Sequence, residues 1–171
     1  MCSYTKGKSM NAENFRHAFD YHFTFSRLIW DKSITTLSDG QFLQDLPYSI
    51  GSIRNQTVHM MSVDQRWFSG LRGVDVTDHL DPISFTDRES VRSRWDSIEA
   101  VIREYLNGLI DDDLQKPFNQ FQIWQVLLHV INHGTDHRAQ VLAMLNSLGA
   151  PSFPQDYIYF VMGVDPSEPR K

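Results

Sequence analysis

Residues 129–140 read His129-Val130-Ile131-Asn132-His133-Gly134-Thr135-Asp136-His137-Arg138-Ala139-Gln140 and hold the strongest pattern of this chain. Histidine recurs at every fourth position, within an apolar-periodic segment that runs from Trp124 to Leu148. Four residues of an α-helix advance by about 400°, or 40° net, so these histidines share one stripe of a helix. Two imidazoles spaced by four residues can bind one metal ion when another helix supplies a further donor.

The apolar face of this segment indicates which histidines point inward. At about 100° per residue, His133 and His137 fall inside the face, and His129 lies at its edge. A buried imidazole needs partners for its nitrogens, and a metal ion is one such partner. The pattern leaves two interpretations: a metal site, or histidines whose ring nitrogens form hydrogen bonds with the protein or with solvent. The residues that form the face are Val126, Val130, Val141, Met144 and Leu148.

The composition is that of one globular domain. The chain has 171 residues, of which 41% are apolar, so it can bury a sizeable core. We predict a single domain over residues 1–171, with a loosely ordered N-terminus at 1–10 and a tail at 150–171 that packs on the helices or on a partner. The formal net charge of −5, without a dense basic run, argues against a nucleic-acid partner.

Cysteine usage and hydropathy predict the compartment. The single cysteine, Cys2, excludes an internal disulfide framework and is typical of a reducing environment. No apolar run is long enough to cross a bilayer, and residues 1–10 lack the apolar core of a signal peptide. We therefore expect a cytoplasmic protein that has no membrane partner.

Helical periodicity predicts four long helices and no strand. Asn11 and Ser52 are expected to cap the first two helices, and Thr86 with Glu89 forms the capping-box pattern of the third. The connection at 71–85 is too long for a tight helical hairpin, which favours a crossover. The predicted fold is an all-α four-helix bundle with a long crossover between helices two and three. The helices run from Ala12 to Leu37, from Ile53 to Ser69, from the Thr86 cap to a stop at Asn107-Gly108, and from Trp124 to Leu148.

The second helix carries two polar side chains of interest. His59 borders its apolar face, and Asp64 falls inside that face. A carboxylate there needs a partner, such as a histidine N–H or an arginine, unless it lies in a wet groove. His79, in the crossover, is expected to be solvated.

The last predicted helix has a second apolar stripe, formed by Trp124, Ile131 and Leu142. A helix that is apolar on two sides must bury both of them. Either a homodimer interface or the aromatic C-terminal tail, Ser152–Gly163, can cover this stripe.

A histidine on the second helix followed by this long histidine motif on the last helix resembles the DinB family. The matching residues are His59 in Thr57-Val58-His59-Met60-Met61, and Leu128 to Gln140; Trp67 and Leu145-Asn146-Ser147-Leu148-Gly149 also fit. The resemblance implies a four-helix bundle with a crossover, a metal site formed by His59, His133 and His137, and frequently a homodimer. Members often have histidine at the position of Asp136 and glycine at that of Ala139, and neither departure removes a proposed ligand. Phe23-Thr24-Phe25-Ser26 replaces the family's usual pattern in the first helix.

These residues lead to a functional hypothesis with an alternative. Three imidazoles leave a coordination position open, and nitrogen donors suit Zn²⁺ or Ni²⁺. The first hypothesis is a metal-dependent transferase or hydrolase acting on a small molecule, and the resemblance implies a low-molecular-weight thiol as co-substrate. Asp64, His129 and Tyr21 are candidates for supporting the ligands. The alternatives are a stress-response protein in which the metal is structural and a helical interaction module without metal.

Overall fold

A computed structural model describes residues 10–168, and these form an all-α fold. The predicted all-α class is confirmed, whereas the single-domain assignment over 1–171 stays a prediction. Apart from Met10, the N-terminal segment that was expected to be loosely ordered lies outside the described residues, as does Cys2. In chain order the helices are α1 (Ala12–Lys32), α2 (Asp39–Leu43), α3 (Ile53–Leu71), α4 (Arg88–Gly108), α5 (Ile123–Ser147) and α6 (Tyr157–Val161).

The helix starts follow from side-chain caps, with one correction. Asn11 and Ser52 cap α1 and α3 as expected, accepting from the backbone N–H groups of residues 14 and 55. The cap of α4 is Asp87, not Thr86, because the Asp87 carboxylate accepts from the Ser90 N–H at 2.7 Å. The Thr86 hydroxyl donates to that carboxylate instead, at 3.3 Å. The ionised oxygen is the stronger acceptor at a helix start, where the backbone N–H groups carry partial positive charge.

The first helix also ends earlier than predicted. α1 stops at Lys32, and a turn of 3₁₀ helix at Ile34–Thr36 carries the chain on to Leu37. The expected connector at 39–51 contains α2, which Ser38 caps. Short 3₁₀ turns continue an apolar helical spacing, so periodicity does not distinguish them from the last turn of an α-helix.

The four long helices, α1, α3, α4 and α5, surround one apolar core. α1 and α3 each pack against both α4 and α5, so α1 and α3 face one another across the core. Their side chains meet there, with the rings of Phe19 and Phe68 5.5 Å apart. These contacts are those of a four-helix arrangement. Within the described residues, no helix combines the length and apolarity that crossing a membrane requires.

An ion-pair cluster joins α1 to α4. Glu99 is buried and lies 2.7 Å from both Arg27 and Arg103. Arg103 also pairs with Asp20 at 2.7 Å. Because both arginines remain partly exposed, the cluster anchors the outer side of α4 without burying a cation completely.

Two connections lie beside α3. The crossover between α3 and α4 contains a 3₁₀ turn at Pro82–Ser84. A small hairpin precedes α5, formed by β1 (Pro117–Phe118) and β2 (Phe121–Gln122), which pair antiparallel. The expectation of no strand is therefore wrong for these four residues, which are too few for an alternating pattern to be visible.

The C-terminal segment packs on α1 and α5. Gln155 accepts from the Tyr21 hydroxyl at 2.7 Å and from Arg138 Nε at 2.8 Å, and it donates to the Thr135 carbonyl at 3.1 Å. Thr135 and Arg138 follow Ile131 by four and seven residues, so they continue the second apolar stripe of α5. The tail thus covers the middle of that stripe.

Candidate metal centre

Three predicted ligands converge between α3 and α5. His59 comes from the middle of α3, and His133 and His137 come from successive turns of α5. Their ring centroids are 4.3 Å apart for His133–His137, 4.6 Å for His59–His137 and 5.2 Å for His59–His133. Each ring offers one nitrogen, and these nitrogens all lie within 4.8 Å of one another.

The spacing fits a common ion. Nε2 of His59 and Nε2 of His133 are 3.2 Å apart. Two nitrogens that are each about 2.1 Å from a tetrahedral Zn²⁺ lie about 3.4 Å apart. His133 Nδ1 is buried and has no hydrogen-bond partner within residues 10–168, and an ion bound through Nε2 would not satisfy it, so the fit rests on the spacing and the type of the donors. The donor set therefore fits a divalent ion that prefers nitrogen.

The surroundings keep the three imidazoles neutral. Burial, followed by the proximity of His137 and His59, lowers the pKa of His133 to about 4. Burial likewise lowers the pKa of His59 and of His137. The Asp64 carboxylate opposes the shift at all three rings, which means that it acts on each of them. Neutral imidazoles present lone pairs near pH 7, as metal coordination requires.

Gln56 orients one of these rings. This fully buried residue on α3 accepts from His137 Nδ1 at 2.8 Å and donates to Gln140 Oε1 at 3.0 Å. Since the amide oxygen faces His137, the proton of that ring is on Nδ1 and the lone pair on Nε2 is free. A hydrogen bond of this kind fixes both the tautomer and the rotation of a ligating imidazole.

A buried polar network lies on the inner side of the histidines. His22 of α1 is 1% exposed and is held between Arg138 and Asp64. Arg138 Nη1 lies 2.9 Å from His22 Nδ1, and His22 Nε2 lies 3.3 Å from Asp64 Oδ2. An arginine can only donate, so His22 accepts at Nδ1 and donates from Nε2 to the carboxylate. Burial lowers the pKa of Arg138.

Gly134 makes room for this network. A Cβ atom at this position would lie 2.2 Å from Cε1 and 2.4 Å from Nδ1 of His22. The glycine between the two ligand turns therefore permits the close approach of α1 to α5.

The three residues that the sequence suggested as support for the ligands lie in three different places. Asp64 is buried beneath the site with His22 as its partner, and its Oδ1 has no hydrogen-bond partner among the described residues. His129 is exposed, and its ring lies 5.3 Å from that of Trp67. Tyr21 contacts the C-terminal segment through Gln155. Of the three, only Asp64 combines burial with an effect on every proposed ligand.

Sequence reasoning missed three residues of the site. Gln56 gave no signal, because a lone glutamine on a helix is usually solvated. Arginine is usually exposed, so its type predicts a surface position for Arg138, which is only 1% exposed. His22 had a detectable signal, since it follows Phe15 and Phe19 at helical spacing on the inner face of α1. His79 is exposed as expected, but its Nδ1 lies 3.4 Å from the Ser62 hydroxyl at the edge of the site.

Both the sequence and the fold have known relatives. The family model described as DinB family matches residues 10–168. The protein DinB of Bacillus subtilis is 26% identical over 134 residues, covering 70% of this chain and 78% of that protein. A DinB-like crystal structure from Bacillus cereus has a TM-score of 0.69 at 18% identity, with coverage of 86% of this chain and 98% of that chain. A DinB family member from Shewanella denitrificans has a TM-score of 0.50 at 18% identity, with coverage of 86% and 84%. The structural likenesses support the fold, and the match to the family model extends over the whole described chain; the protein belongs to the DinB family.

Proposed function

We propose that this protein is a metal-dependent enzyme that holds a divalent ion through His59, His133 and His137. The observation that carries the proposal is the convergence of three neutral imidazoles from α3 and α5. When bound, such an ion supplies Lewis acidity and can lower the pKa of a water or thiol that reaches it. Zn²⁺ and Ni²⁺ are the ions proposed, because both suit nitrogen donors.

The proposed reaction is transfer of a low-molecular-weight thiol to a small electrophile, or hydrolysis of a small molecule. Three protein ligands leave a coordination position for a reactant. A cavity of about 190 Å³ lies against His59, and Ser62 and His79 also line it. Open space beside one of the proposed ligands favours catalysis over a closed structural site.

The protein's own groups would orient the ligands and keep them neutral. Gln56 holds the proton of His137 on Nδ1. Asp64 places a negative charge beneath the rings, which offsets the positive charge of a bound divalent ion. Neither residue has to exchange a proton for the centre to form.

The test begins with metal content in protein purified without an affinity tag. We expect about one equivalent of zinc or nickel in the wild-type protein and a large loss in His133→Ala. His17→Ala is the matched control, since it removes an exposed histidine of α1 whose ring contacts Tyr157 and Phe160 rather than the centre. Elemental analysis showing no metal in the wild-type protein, even after loading, would refute the proposal.

A second measurement separates catalysis from a structural role. The metal-loaded protein is assayed with thiol and electrophile pairs and with hydrolysable esters, before and after chelation. Activity that disappears in His133→Ala and persists in His17→Ala supports the enzyme. A sharp fall in melting temperature on chelation, without turnover of any substrate, favours the alternative in which the ion only stabilises a non-catalytic stress-response protein.

We also propose that the chain forms a homodimer. The observation that supports this is the exposed apolar surface of α6 and of the residue that follows it, where Ile158 and Met162 are 55% and 65% exposed. Light scattering on the purified protein measures the mass directly, and a monomer at micromolar concentration would contradict it. A cytoplasmic location and the absence of a nucleic-acid partner remain predictions.

A further inference from the structure

One stripe of α3 continues beyond the metal centre. Starting at His59, the residues that face the same side at intervals of three and four are Ser62, Val63, Arg66, Trp67 and Gly70. Ser62 lines the cavity that contains His59. Val63, Arg66, Trp67 and Gly70 line a second cavity of about 350 Å³. His79 lines both cavities, so the two adjoin along one face of the helix.

The outer walls of this cleft come from the crossover and the hairpin. Val76 and His79 of the crossover face the α3 stripe, and Phe118 of the hairpin closes the far end. A Cβ atom on Gly70 would lie 2.8 Å from Phe118 Cζ, so the absence of a side chain lets the hairpin approach α3. The Trp67 ring lies 5.3 Å from the His129 ring, which lies 5.9 Å from the His133 ring. The apolar wall therefore extends toward the centre.

The charge of the cleft is positive although the protein is acidic. Arg66 is its permanently charged residue, and among residues 10–168 no aspartate or glutamate lines either cavity. Arg66 Nη1 donates to the Thr77 carbonyl. This hydrogen bond holds the guanidinium at the cleft and leaves its other N–H donors for a ligand. The crossover carboxylates Asp75 and Asp78 are exposed and lie outside the lining.

We propose that this cleft binds a small, elongated molecule with an apolar middle and an anionic end. The anion pairs with Arg66, the middle packs on Val63 and Trp67, and the reacting end lies beside His59. Arg66 follows His59 by two helical turns, about 10.5 Å along the axis, which sets the length of the ligand. The inference rests on the proposed function for the reacting end, whereas the anion site is independent of a metal.

The probes are mercaptohexanoate, its neutral counterpart mercaptohexanol, and the short mercaptoacetate. Six carbons and a sulfur span most of the distance from the centre to Arg66, since each carbon–carbon bond of about 1.5 Å advances the chain by about 1.25 Å. Dissociation constants are measured by calorimetry on the zinc-loaded protein and on the metal-free protein. We expect the zinc-loaded protein to bind mercaptohexanoate most tightly of the three.

Substitutions at Arg66 isolate the charge. Arg66→Gln should weaken binding of mercaptohexanoate about fivefold, allowing for the partial exposure of the guanidinium, and leave mercaptohexanol unchanged. Arg66→Lys should restore most of the difference, because it keeps the charge. The control is Arg72→Gln, which removes an exposed arginine beyond the end of α3 and outside the cleft.

The outcomes separate this inference from the proposed function. Equal affinity for the acid and the alcohol, or equal effects of Arg66→Gln and Arg72→Gln, would overturn the anionic cleft even in a protein that binds zinc well. If zinc does not bind, the proposed function fails, and the contrast between acid and alcohol in the metal-free protein still decides whether Arg66 forms an anion site. Tight binding of mercaptoacetate that ignores Arg66 would show that the metal alone selects the ligand.

Discussion

Substituting Gly134 with alanine sets two physical effects against each other. Helix propensity favours alanine over glycine by about 1 kcal/mol in a helix interior, so a sequence-based expectation is stabilisation. The structure gives the opposite sign, because the new Cβ atom would lie 2.2 Å from Cε1 of His22. An ordinary carbon–carbon contact is about 3.5 Å, so the ring would have to move by more than about 1 Å.

His22 has no free direction in which to move. Its ring is 2.9 Å from Arg138 Nη1 and 3.3 Å from Asp64 Oδ2, so a shift of that size breaks at least one of these contacts. Overpacking costs about 1–3 kcal/mol, and a lost hydrogen bond to a charged group costs about 1.5–3 kcal/mol. After subtraction of the propensity gain, we expect Gly134→Ala to lower the free energy of unfolding by about 1.5–5 kcal/mol.

Thermal and urea unfolding, followed by circular dichroism on the metal-free protein, measure this difference. For a chain of this size, about 1.5–5 kcal/mol corresponds to a fall of about 3–20 °C in melting temperature. Gly108→Ala is the matched control, because it lies in α4 and its Cβ would meet nothing within 4 Å. We expect that control to be neutral or slightly stabilising. A Gly134→Ala protein that melts at or above the wild-type temperature would refute the steric reasoning.

Three further predictions concern the centre and the α1–α4 contact. The pKa of His133 is lowered from 6.5 to about 4, so between these values the unfolded chain binds a proton that the folded chain does not. The stability of the metal-free protein should therefore fall as the pH drops through this window, by about 1–2 kcal/mol after allowance for solvent screening. Urea unfolding at several pH values measures this dependence, and His133→Gln should make the free energy of unfolding less dependent on pH. Gln56→Leu removes the acceptor of His137 Nδ1–H and should weaken zinc binding about 10- to 100-fold in competition with a chromogenic chelator; unchanged affinity would mean that Gln56 does not orient the ring. Glu99→Gln removes the carboxylate that pairs with both Arg27 and Arg103, and should lower the free energy of unfolding by about 1–2 kcal/mol, since both arginines can still reach solvent. An effect that does not shrink in high salt would contradict an electrostatic origin.

Local rules were enough to place the four long helices, though not all of their ends, and to single out two of the proposed ligands. Spacing by four residues within an apolar stripe identified His133 and His137, because both properties belong to one segment. His59 needed the resemblance to the family, since periodicity places it at the border of a face and does not reveal which helix it meets. The cap of α4 was assigned wrongly because Thr86 and Asp87 are adjacent residues that both favour that position, and only the geometry shows which one reaches the N–H of Ser90.

The remainder of the site depends on contacts that are distant in sequence. Arg138 is buried because His22 lies 116 residues before it and Gln155 lies 17 residues after it. Neither partner is visible from the helix that carries the arginine. For Asp64, the position in an apolar face correctly predicted that the carboxylate needs a partner, but it could not identify that partner as His22. Residue type and spacing predict the requirement, and the tertiary fold determines what meets it.

The arrangement of α5 gives the buried network a positional role. His133 and His137 face the centre, and Gly134 and Arg138 each follow a ligand by one residue, about 100° further round the helix. Burying ions costs several kcal/mol each, and apolar substitutes are often as stable, so stability alone does not account for the network. What it does fix is the rotation of α5 against α1, and with it the direction of both ligand rings. The zinc affinity of Gly134→Ala decides this point: a variant that loses stability yet binds zinc as tightly as the wild-type protein would leave the network with no effect on the centre.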